Sequence, residues 1–323
     1  MDEAAKAGRA GVQIAGFWRR LFAFCLDAIL LGVLGACIGL IDFDGLAALG
    51  DWGRAVGFAV ALFYFGAMDG RLFGGQTLGK RMLGIKVICG AGAPLSVGAS
   101  MLRAGIFCVP YFMNNAMIDT GAIASWLSVL LSVVVFGVGI SIVYLLLFNR
   151  HTRQSLHDLA VGAYVVSNVT GVPVDRPPVW RVHYGIVGLI MITALALPFV
   201  AQRIAGSDEF AGLLSVQQGL QQESGVRHAT AMVSVNTFSG HAAGVTTNHV
   251  FSSRIFLSHR VTEADSMANR LARIILDRDP SAENEDLIAI ALVYGYDIGI
   301  ASAWRVQNFS FSPAQWRNRL AAP

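Results

Sequence analysis

Charged residues are scarce in this chain of 323 residues: 14% are Asp, Glu, Lys or Arg, whereas 54% are hydrophobic. Water-soluble domains carry about a quarter charged residues. This composition excludes an ordinary soluble protein and predicts that part of the chain lies in a lipid bilayer. The formal net charge is only +3. No strongly basic region is present to predict a nucleic-acid partner.

Cysteine is also rare, and its positions exclude several kinds of site. The four cysteines lie in the apolar first half of the chain, at Cys25, Cys37, Cys89 and Cys108. None belongs to a Cys-x-x-Cys pair, the spacing of zinc ribbons and thioredoxin-like redox sites. The polar second half has no cysteine. A disulfide framework is therefore excluded.

The N-terminus has the basic residues and apolar run of a secretory signal, and Leu34 to Cys37 is similar to a lipoprotein cleavage site. However, the apolar run from 21 to 41 is longer than the roughly 7 to 15 residues of a signal peptide. It also contains Asp27. These features favour a first membrane helix that is retained.

Apolar runs of membrane-spanning length, which is about 20 helical residues, occur at 21–41, 53–68, 122–148 and 182–201. A fifth run, 101–118, is shorter and contains Pro110, which kinks a helix. Hydropathy alone does not decide whether this fifth run crosses the bilayer.

The charges of the loops decide whether the run 101–118 crosses the bilayer, because Lys and Arg near span ends stay on the cytoplasmic side. Basic residues cluster in the N-terminal tail and in the loops 69–103 and 149–181, whereas the loop 42–52 is acidic. Two basic loops on one side require an even number of crossings between them. The runs 101–118 and 122–148 should therefore form a hairpin that turns near Asp119. The prediction is five spans, a cytoplasmic N-terminus and an extracytoplasmic region from residue 203 onward.

Asp27 lies about two turns into the first predicted helix, where an ionised carboxylate costs about 2.5 kcal/mol or more and should face protein or water. Arg20 shares its face but lies about 10 Å away along the helix axis, too far for direct contact within that helix. Asp27 could pair with another helix only to fix packing, or it could be an ion or proton site. The sequence leaves both interpretations open.

Three blocks of the first half carry a family resemblance: Gly16 to Leu21 followed by Asp27, Gly75 to Arg81 followed by Val87, and Leu156 to Gly162. Over about residues 13–168 the chain resembles the RDD family of membrane proteins. That family is named for an arginine at the start of the first helix and two aspartates, which correspond here to Arg20, Asp27 and Asp158. The resemblance implies a membrane protein of a family often suspected of transport and connected with sodium/proton exchange.

The segment from Gly74 to Arg81 nearly matches a phosphate-binding loop, but Arg81 stands where that loop needs Ser or Thr, and a membrane helix replaces the required strand. Nucleotide binding is therefore not predicted. A cytoplasmic interfacial turn fits better, with Lys80, Arg81 and Lys86 facing lipid phosphates. Its residues are Gly75, Gln76, Thr77, Gly79, Lys80 and Arg81.

The segment from Arg153 to Asp158 follows a long helix at the same predicted cytoplasmic surface. It could be only a charged helix terminus, with Arg150 and Arg153 near the negative end of that helix. Alternatively, Asp158 or His157 could meet Arg20 across the cytoplasmic mouth, because Arg binds a carboxylate through two parallel hydrogen bonds. We favour such a structural lock over catalysis, since no nucleophile or metal-ligand spacing accompanies these residues.

After Gly206 the pattern becomes that of a water-soluble domain. Alternation at 229–238 places Ala231, Val233 and Val235 on one half-buried face, and 249–257 predicts a second strand. A helix capped by Thr262-x-x-Asp265 should end before Pro280. Two further strands at 286–296 and 303–311 precede a short helix that starts at Ser312-Pro313. This order predicts a two-layer α+β domain.

The second half of the chain shows no residue pattern typical of a catalytic or metal site. Its histidines lack the short spacing of metal sites, and aromatic residues in strands more often pack a core than bind a ligand. The residues concerned are His228, His241, His249 and His259, and Tyr294, Tyr296 and Trp304. We therefore expect no catalytic residues, no metal and no cofactor.

The predicted fold class is an all-α polytopic membrane domain of five transmembrane helices plus a small two-layer α+β extramembrane domain. We divide the chain into an RDD-like four-helix domain (1–170), a linker with the fifth transmembrane helix (171–202) and an external domain (203–323). The expected location is the inner membrane. The expected partners are the lipid bilayer and either other membrane-protein subunits or a second copy, but no nucleotide.

Two functions follow, neither of them enzymatic. The chain could be a docking or assembly subunit of a larger membrane complex, which we favour because the added domain sets it apart from the family block. It could instead be a small transporter or cation/proton exchanger that uses Asp27. Five spans are few for an alternating-access carrier built from paired repeats, and no internal repeat is evident.

Overall fold

The computed structural model describes residues 12–114, 125–167, 173–175, 178–205, 207–240 and 244–321. The helices, in chain order, are α1 (Phe17–Ile41), α2 (Phe43–Leu49), α3 (Gly53–Met68), α4 (Leu78–Met82), α5 (Val97–Met113), α6 (Ser125–Ser132), α7 (Gly139–Phe148), α8 (Leu156–Ala160), α9 (Arg181–Ala205), α10 (Asp208–Gln222), α11 (Ala264–Arg278) and α12 (Pro313–Ala321). The strands are β1 (Ile85–Cys89), β2 (Ala163–Ser167), β3 (Val226–Gly240), β4 (Gly244–Leu257), β5 (Leu287–Asp297) and β6 (Ser302–Phe311). A π-helical segment, Val133–Val138, joins α6 to α7.

The chain forms two compact units, and neither is continuous in sequence. The first, which we call the membrane unit, comprises the chain up to Ile41 together with Asp51–Phe199 and Asp297–Ser302. The second, the C-terminal unit, comprises Asp42–Gly50, Val200–Tyr296 and the chain from Ala303 onward. Helix α2 therefore belongs to the C-terminal unit, although it directly follows the first long apolar helix.

Within the described ranges, four helical stretches are long and apolar enough to cross a membrane. They are Phe17–Ile41, Phe43–Met68, Trp126–Phe148 and Arg181–Ile204. Helix α5 is apolar but has only 17 residues. The four long apolar runs are thus helical as predicted. The crossing by 101–118 remains a prediction, and its turn near Asp119 lies outside the described residues.

A two-stranded sheet in the membrane unit corrects the expectation that this part is all α-helical. Strands β1 and β2 pair antiparallel, from Ile85 opposite Ser167 to Cys89 opposite Ala163. Their inward side chains form a small buried cluster with Ala15, Ala23 and Leu95. The two partners are far apart in sequence and each has only five residues, so local patterns gave no sign of the pairing.

The segment Asp297–Ser302, between β5 and β6, packs within the membrane unit. Asp297 Oδ2 lies 2.5 Å from Arg54 NH1. A side chain at Gly57 would collide with the Ile298 carbonyl, so glycine permits the close approach. Ile300 joins the apolar cluster of Leu31, Ala61, Phe65 and Phe112. This short segment is therefore an integral part of the core between α1, α3 and α5.

The C-terminal unit contains a four-stranded sheet in the order β3-β4-β5-β6. Strands β3 and β4 pair antiparallel, and β4 and β5 pair parallel. One apolar core joins the sheet to α2, α10, α11 and α12, and it includes Ala47, Leu220, Phe251, Ile255, Leu271, Ile288 and Trp316. The predicted order of strands and helices is present, and α10 was not predicted.

Three details of the C-terminal unit bear on the sequence predictions. Helix α11 starts at Ala264 after Glu263 without a side-chain cap, so the predicted cap at Thr262 is wrong. Helix α12 begins at Pro313 as predicted. Val233 and Val235 are exposed on the edge strand β3, and the core contacts this strand at Val226, Ala229 and Ala231.

The aromatic residues of the last two strands do not form one surface. Tyr294 and Tyr296 are buried, and both pack edge-on against Phe43. Tyr294 also donates a hydrogen bond to Asp44 Oδ1 at 3.0 Å. Trp304 is exposed and packs against Phe256. Most of these aromatic residues therefore stabilise the fold.

Candidate functional site

Among the residues that the structure describes, six ionisable side chains meet inside the membrane unit, and we call them the buried charge network. They are Arg20 of α1, Asp27 of α1, Asp69 after α3, Lys80 of α4, Arg103 of α5 and Asp158 of α8. Each carboxylate is at most 1% exposed. Three carboxylates face three cations, so the formal charges cancel. Buried charges persist only when they are paired.

Asp158 makes the densest set of contacts. Its Oδ2 accepts a hydrogen bond from Arg20 NH2 at 2.7 Å, so the predicted contact between these residues is formed. Its Oδ1 accepts from Arg103 Nε at 2.8 Å, and the Ser155 backbone N–H donates to Oδ2 at 3.1 Å. Burial alone would raise the pKa of Asp158, but the positive charges of Arg103 and Arg20 hold it well below its usual range.

Arg103 connects two parts of the network. Its NH1 donates to Asp69 Oδ2 at 2.6 Å, while its Nε and NH2 bind Asp158. The prediction that Arg103 is a basic loop residue is wrong, because Arg103 lies within α5 and is buried. One guanidinium thus neutralises two carboxylates that lie 89 residues apart in sequence.

Lys80 pairs with Asp69 at the other end of the network. The prediction that Lys80 faces lipid phosphates is wrong, since its side chain is only 13% exposed. Burial lowers the pKa of Lys80, and the negative charge of Asp69 opposes that shift. Lys80 is therefore a desolvated amine held beside a carboxylate.

Asp27 differs from the other two carboxylates, because its described hydrogen-bond donors are neutral. Oδ1 accepts from the Tyr64 hydroxyl at 2.6 Å and from the Gly79 backbone N–H at 2.8 Å. Oδ2 accepts from Thr77 Oγ1 at 2.5 Å. A side chain at Gly79 would collide with the Ala23 carbonyl oxygen, so glycine permits the close approach of α4 to α1 that this contact needs.

Two residues of the predicted interfacial turn, Thr77 and Gly79, therefore bind the Asp27 carboxylate. Thr77 is buried and also accepts a hydrogen bond from the Lys80 backbone N–H, which starts α4. Gly75 has a left-handed φ of 76°. Gln76 donates to the Ile85 carbonyl at 2.9 Å. Arg81 alone of these residues projects a charge to the surface.

The turn before α8 supports the network from the other side. Arg153 has a φ of 50°, which is unusual for a residue other than glycine, and its carbonyl accepts a hydrogen bond from Arg20 NH1. Asn149 Nδ2 donates to Thr152 Oγ1 at 2.7 Å and to the Gln154 carbonyl at 3.0 Å. Backbone strain held in place by surrounding contacts is common at functional sites.

His157 lies beside the network without adding a charge to it. Its Nε2 is 3.4 Å from Asp158 Oδ1, and its Nδ1 is 3.2 Å from Ser155 Oγ. Burial lowers the pKa of His157 to about 3, which outweighs the opposite effect of Asp158. The imidazole is therefore neutral near pH 7.

A cavity of about 340 Å³ lies next to these side chains. All members of the network except Asp158 contribute to its lining, together with His157, and apolar residues such as Phe24, Phe107 and Leu147 complete it. Within the described ranges, no three His, Cys, Asp or Glu side chains are grouped as metal ligands. Of the four C-terminal histidines, His241 lies outside those ranges. The arrangement can bind charged groups or exchange protons inside the membrane unit.

Comparison with known proteins points to the same family as the sequence motifs. The sequence model of the RDD family matches residues 14–162. An uncharacterized protein, YckC of Bacillus subtilis (strain 168), is 24% identical over 157 residues, which cover 49% of this chain and 87% of that protein. No solved structure matches. The RDD resemblance of the first half is therefore confirmed.

Sequence reasoning missed three residues of the site: Asp69, Arg103 and Tyr64. Arg103 lies within an apolar run, and an ionisable residue in such a run is a sign of function. Asp69 directly follows another such run. Tyr64 carried no signal, because its role depends only on its contact with Asp27.

Proposed function

We propose that the membrane unit, whose residues 14–162 match the sequence model of the RDD family, exchanges a small cation for protons, with Asp27 as the ion-binding carboxylate. The supporting observation is the difference between the three buried carboxylates. Asp69 and Asp158 are bound by Lys or Arg side chains. The described donors to Asp27 are two hydroxyls and a backbone N–H.

A carboxylate that is already neutralised by a fixed guanidinium gains little from an added cation. Among the described residues, Asp27 has no Lys or Arg side chain at hydrogen-bond distance, so a proton or small cation would neutralise it most effectively. Asp27 also lines the cavity, which gives an ion a route to it. Ionisable residues inside membranes are costly and are usually retained for function.

Replacing Asp27 with asparagine tests the proposal. Asp27→Asn keeps the size of the side chain and removes its charge, so the protein should insert normally while cation-driven proton movement is lost. The measurement is the fluorescence of a pH-sensitive dye inside vesicles that contain the purified protein. Asp51→Asn, an exposed aspartate outside the network, is the control and should keep full flux. Full flux from Asp27→Asn would reduce Asp27 to a packing role.

A second function, non-enzymatic docking to a larger membrane complex, is favoured by a separate observation in the C-terminal unit. Its two edge strands, β3 and β6, carry exposed apolar side chains: Met232, Val235, Trp304 and Val306. Open strand edges with apolar side chains are typical sites of contact with another protein. The expected occupant is another membrane-protein subunit or a second copy of this chain.

Copurification in mild detergent tests docking. Val306→Asp should release the partner, because it places an unpaired charge in an apolar contact. Gln307→Asp adds the same charge at the neighbouring exposed position on β6 and should release less of it if the apolar face makes the contact. Equal recovery of the partner with Val306→Asp and with the unmodified chain would contradict docking through the β6 edge.

We also propose that the C-terminal unit lies outside the cytoplasm of the inner membrane, because the basic loops belong on the inner side. In a cysteine-free background, an impermeant thiol reagent added to intact cells should label Ser310→Cys on β6 and spare Ala91→Cys in the turn after β1. Both positions are exposed. The reverse labelling pattern would overturn this topology.

A further inference from the structure

The cavity beside the buried charge network is mainly apolar. Of its eighteen described lining residues, twelve are apolar and six carry ionisable groups. The ionisable ones are Arg20, Asp27, Asp69, Lys80, Arg103 and His157. A ligand site with apolar walls and a few convergent polar groups fits an organic molecule better than a hydrated ion. The composition of the lining therefore points to an amphiphilic ligand.

We propose that this cavity binds one acyl chain of an anionic phospholipid from the surrounding bilayer, with the lipid phosphate next to Arg20. This site does not depend on the ion exchange proposed above. It would give the membrane unit a bound lipid whether or not Asp27 carries cations.

The acyl chain can enter the cavity sideways. Phe24 on α1 and Val143 and Leu147 on α7 line the cavity, and each is more than 40% exposed. Both α1 and the stretch Trp126–Phe148 have the length and composition of membrane spans. The exposed sides of these residues therefore face lipid. A chain that passes between α1 and α7 never leaves an apolar environment.

The size of the cavity suits part of one lipid chain. At about 30 Å³ for each group the size of a water molecule, a cavity of about 340 Å³ holds about eleven such groups. The remainder of the chain and the second chain would stay in the bilayer. A complete phospholipid would not fit inside the cavity, so this binding mode requires the lateral opening between α1 and α7.

The polar end of the cavity suits an anionic headgroup. Arg20 lies in the first turn of α1, next to the exposed Trp18. Tryptophan at a helix end is typical of the headgroup level of a bilayer. The lining residues include three cations and two carboxylates, and Asp158, just outside the lining, pairs with Arg20 and Arg103. Arg20 NH1 donates to a backbone carbonyl and not to a carboxylate, so a phosphate can compete for this N–H.

Native mass spectrometry of the purified full-length protein tests the site. After incubation with mixed micelles that contain equal amounts of phosphatidylglycerol and phosphatidylcholine, we expect one retained phosphatidylglycerol. Val143→Trp should fill the lateral opening and lower retention at least tenfold. Ile140→Trp is the matched control, because Ile140 is exposed on the same helix and does not line the cavity. Both substitutions are at exposed positions, so the fold should survive, as equal unfolding temperatures would verify.

The headgroup contact has its own pair of variants. Arg20→Lys keeps the positive charge but loses the forked donor geometry, so it should remove the preference for phosphatidylglycerol. Arg19→Lys, at the neighbouring exposed position, should keep that preference. Equal retention by the two tryptophan variants would overturn the proposal. So would equal retention of the two lipids by the unmodified protein, displacement of the lipid by an equal amount of palmitate, or retention of detergent only.

Discussion

The two units of this chain treat charge in opposite ways. In the membrane unit, Arg103 lies buried between Asp69 and Asp158, and each carboxylate of the network is at most 1% exposed. In the C-terminal unit the buried core is apolar and ion pairs lie at the surface, as for Arg270 and Glu223, whose side chains are 50% and 22% exposed.

This difference determines what each ion pair contributes to folding. Exposed pairs contribute about 0 to 1 kcal/mol, because water already solvates both partners. A buried pair can be less stabilising than apolar residues of the same size, yet removing one partner alone is very costly. The membrane unit therefore depends on charges that cannot be deleted one at a time, whereas the C-terminal unit depends on its apolar core.

The largest expected effect is that of Asp158→Ala. It would leave Arg20 and Arg103 without their shared carboxylate, and we expect a loss of about 3 to 5 kcal/mol in the free energy of unfolding. Chemical unfolding of the purified protein in mild detergent measures it. Glu283→Ala breaks the exposed pair with Arg317 in the C-terminal unit and should cost no more than about 1 kcal/mol. Similar losses for the two variants would remove the contrast between the units.

A double-mutant cycle measures the contribution of a single buried ion pair, that of Arg20 with Asp158. Arg20→Ala and Asp158→Ala should each destabilise the protein, and the double variant should lose less than the sum of both. The expected coupling is about 0.5 to 3 kcal/mol, since the two side chains touch. The coupling is calculated from the unfolding free energies of the unmodified protein, the two single variants and the double variant. Strict additivity would show that Arg20 and Asp158 act independently despite the 2.7 Å contact.

The next prediction concerns the stability of the folded protein at acidic pH. Folding lowers the pKa of His157 from its ordinary value of 6.5 to about 3, so between these values the unfolded chain binds a proton that the folded chain does not. Stability contributed by neutral His157 is complete above pH 6.5 and falls as the pH decreases toward 3, by at most about 1.4 kcal/mol per pH unit. The low pKa of Asp158 acts in the same direction but only below about pH 3.8.

Unfolding measured from pH 7 to pH 5 therefore isolates His157 from Asp158. His157→Gln should flatten the decline over this range, because glutamine does not titrate. An unchanged slope in His157→Gln would show that other groups cause the acid sensitivity.

The smallest effect is expected at the surface of the C-terminal unit. A double-mutant cycle on Arg270 and Glu223, 2.8 Å apart, should give a coupling below about 1 kcal/mol that falls further at high salt. A coupling as large as that of Arg20 with Asp158 would mean that exposure does not separate the two classes of ion pair.

The sequence predicted the features that depend on local pattern. Apolar runs identified the long helices, and alternation at 249–257 located part of β4, whose Phe251 and Ile255 are buried. The contact of Arg20 with Asp158 could be predicted from their positions at the same predicted surface. These inferences need only the periodicity of one segment or the charge of one loop.

The remaining features depend on segments that are far apart in the chain. Lys80 resembles any basic loop residue until Asp69 is known to lie beside it. The pairing of β1 with β2 and the packing of α2 in the C-terminal unit have no local signature either. The role of the site stays a prediction for the same reason, since it depends on which neutral donors surround Asp27.

The placement of Asp297–Ser302 in the membrane unit also sets the timing of assembly during protein synthesis. Phe65 is made 235 residues before Ile300, its neighbour in the same apolar cluster. At about 5 to 20 residues per second, the early helices wait about 10 to 50 s for this partner, and Arg54 waits as long for Asp297. Until Asp297–Ser302 has been synthesised, the membrane unit is an unfinished intermediate, and a ribosome that stalls before this segment would leave the unit incomplete.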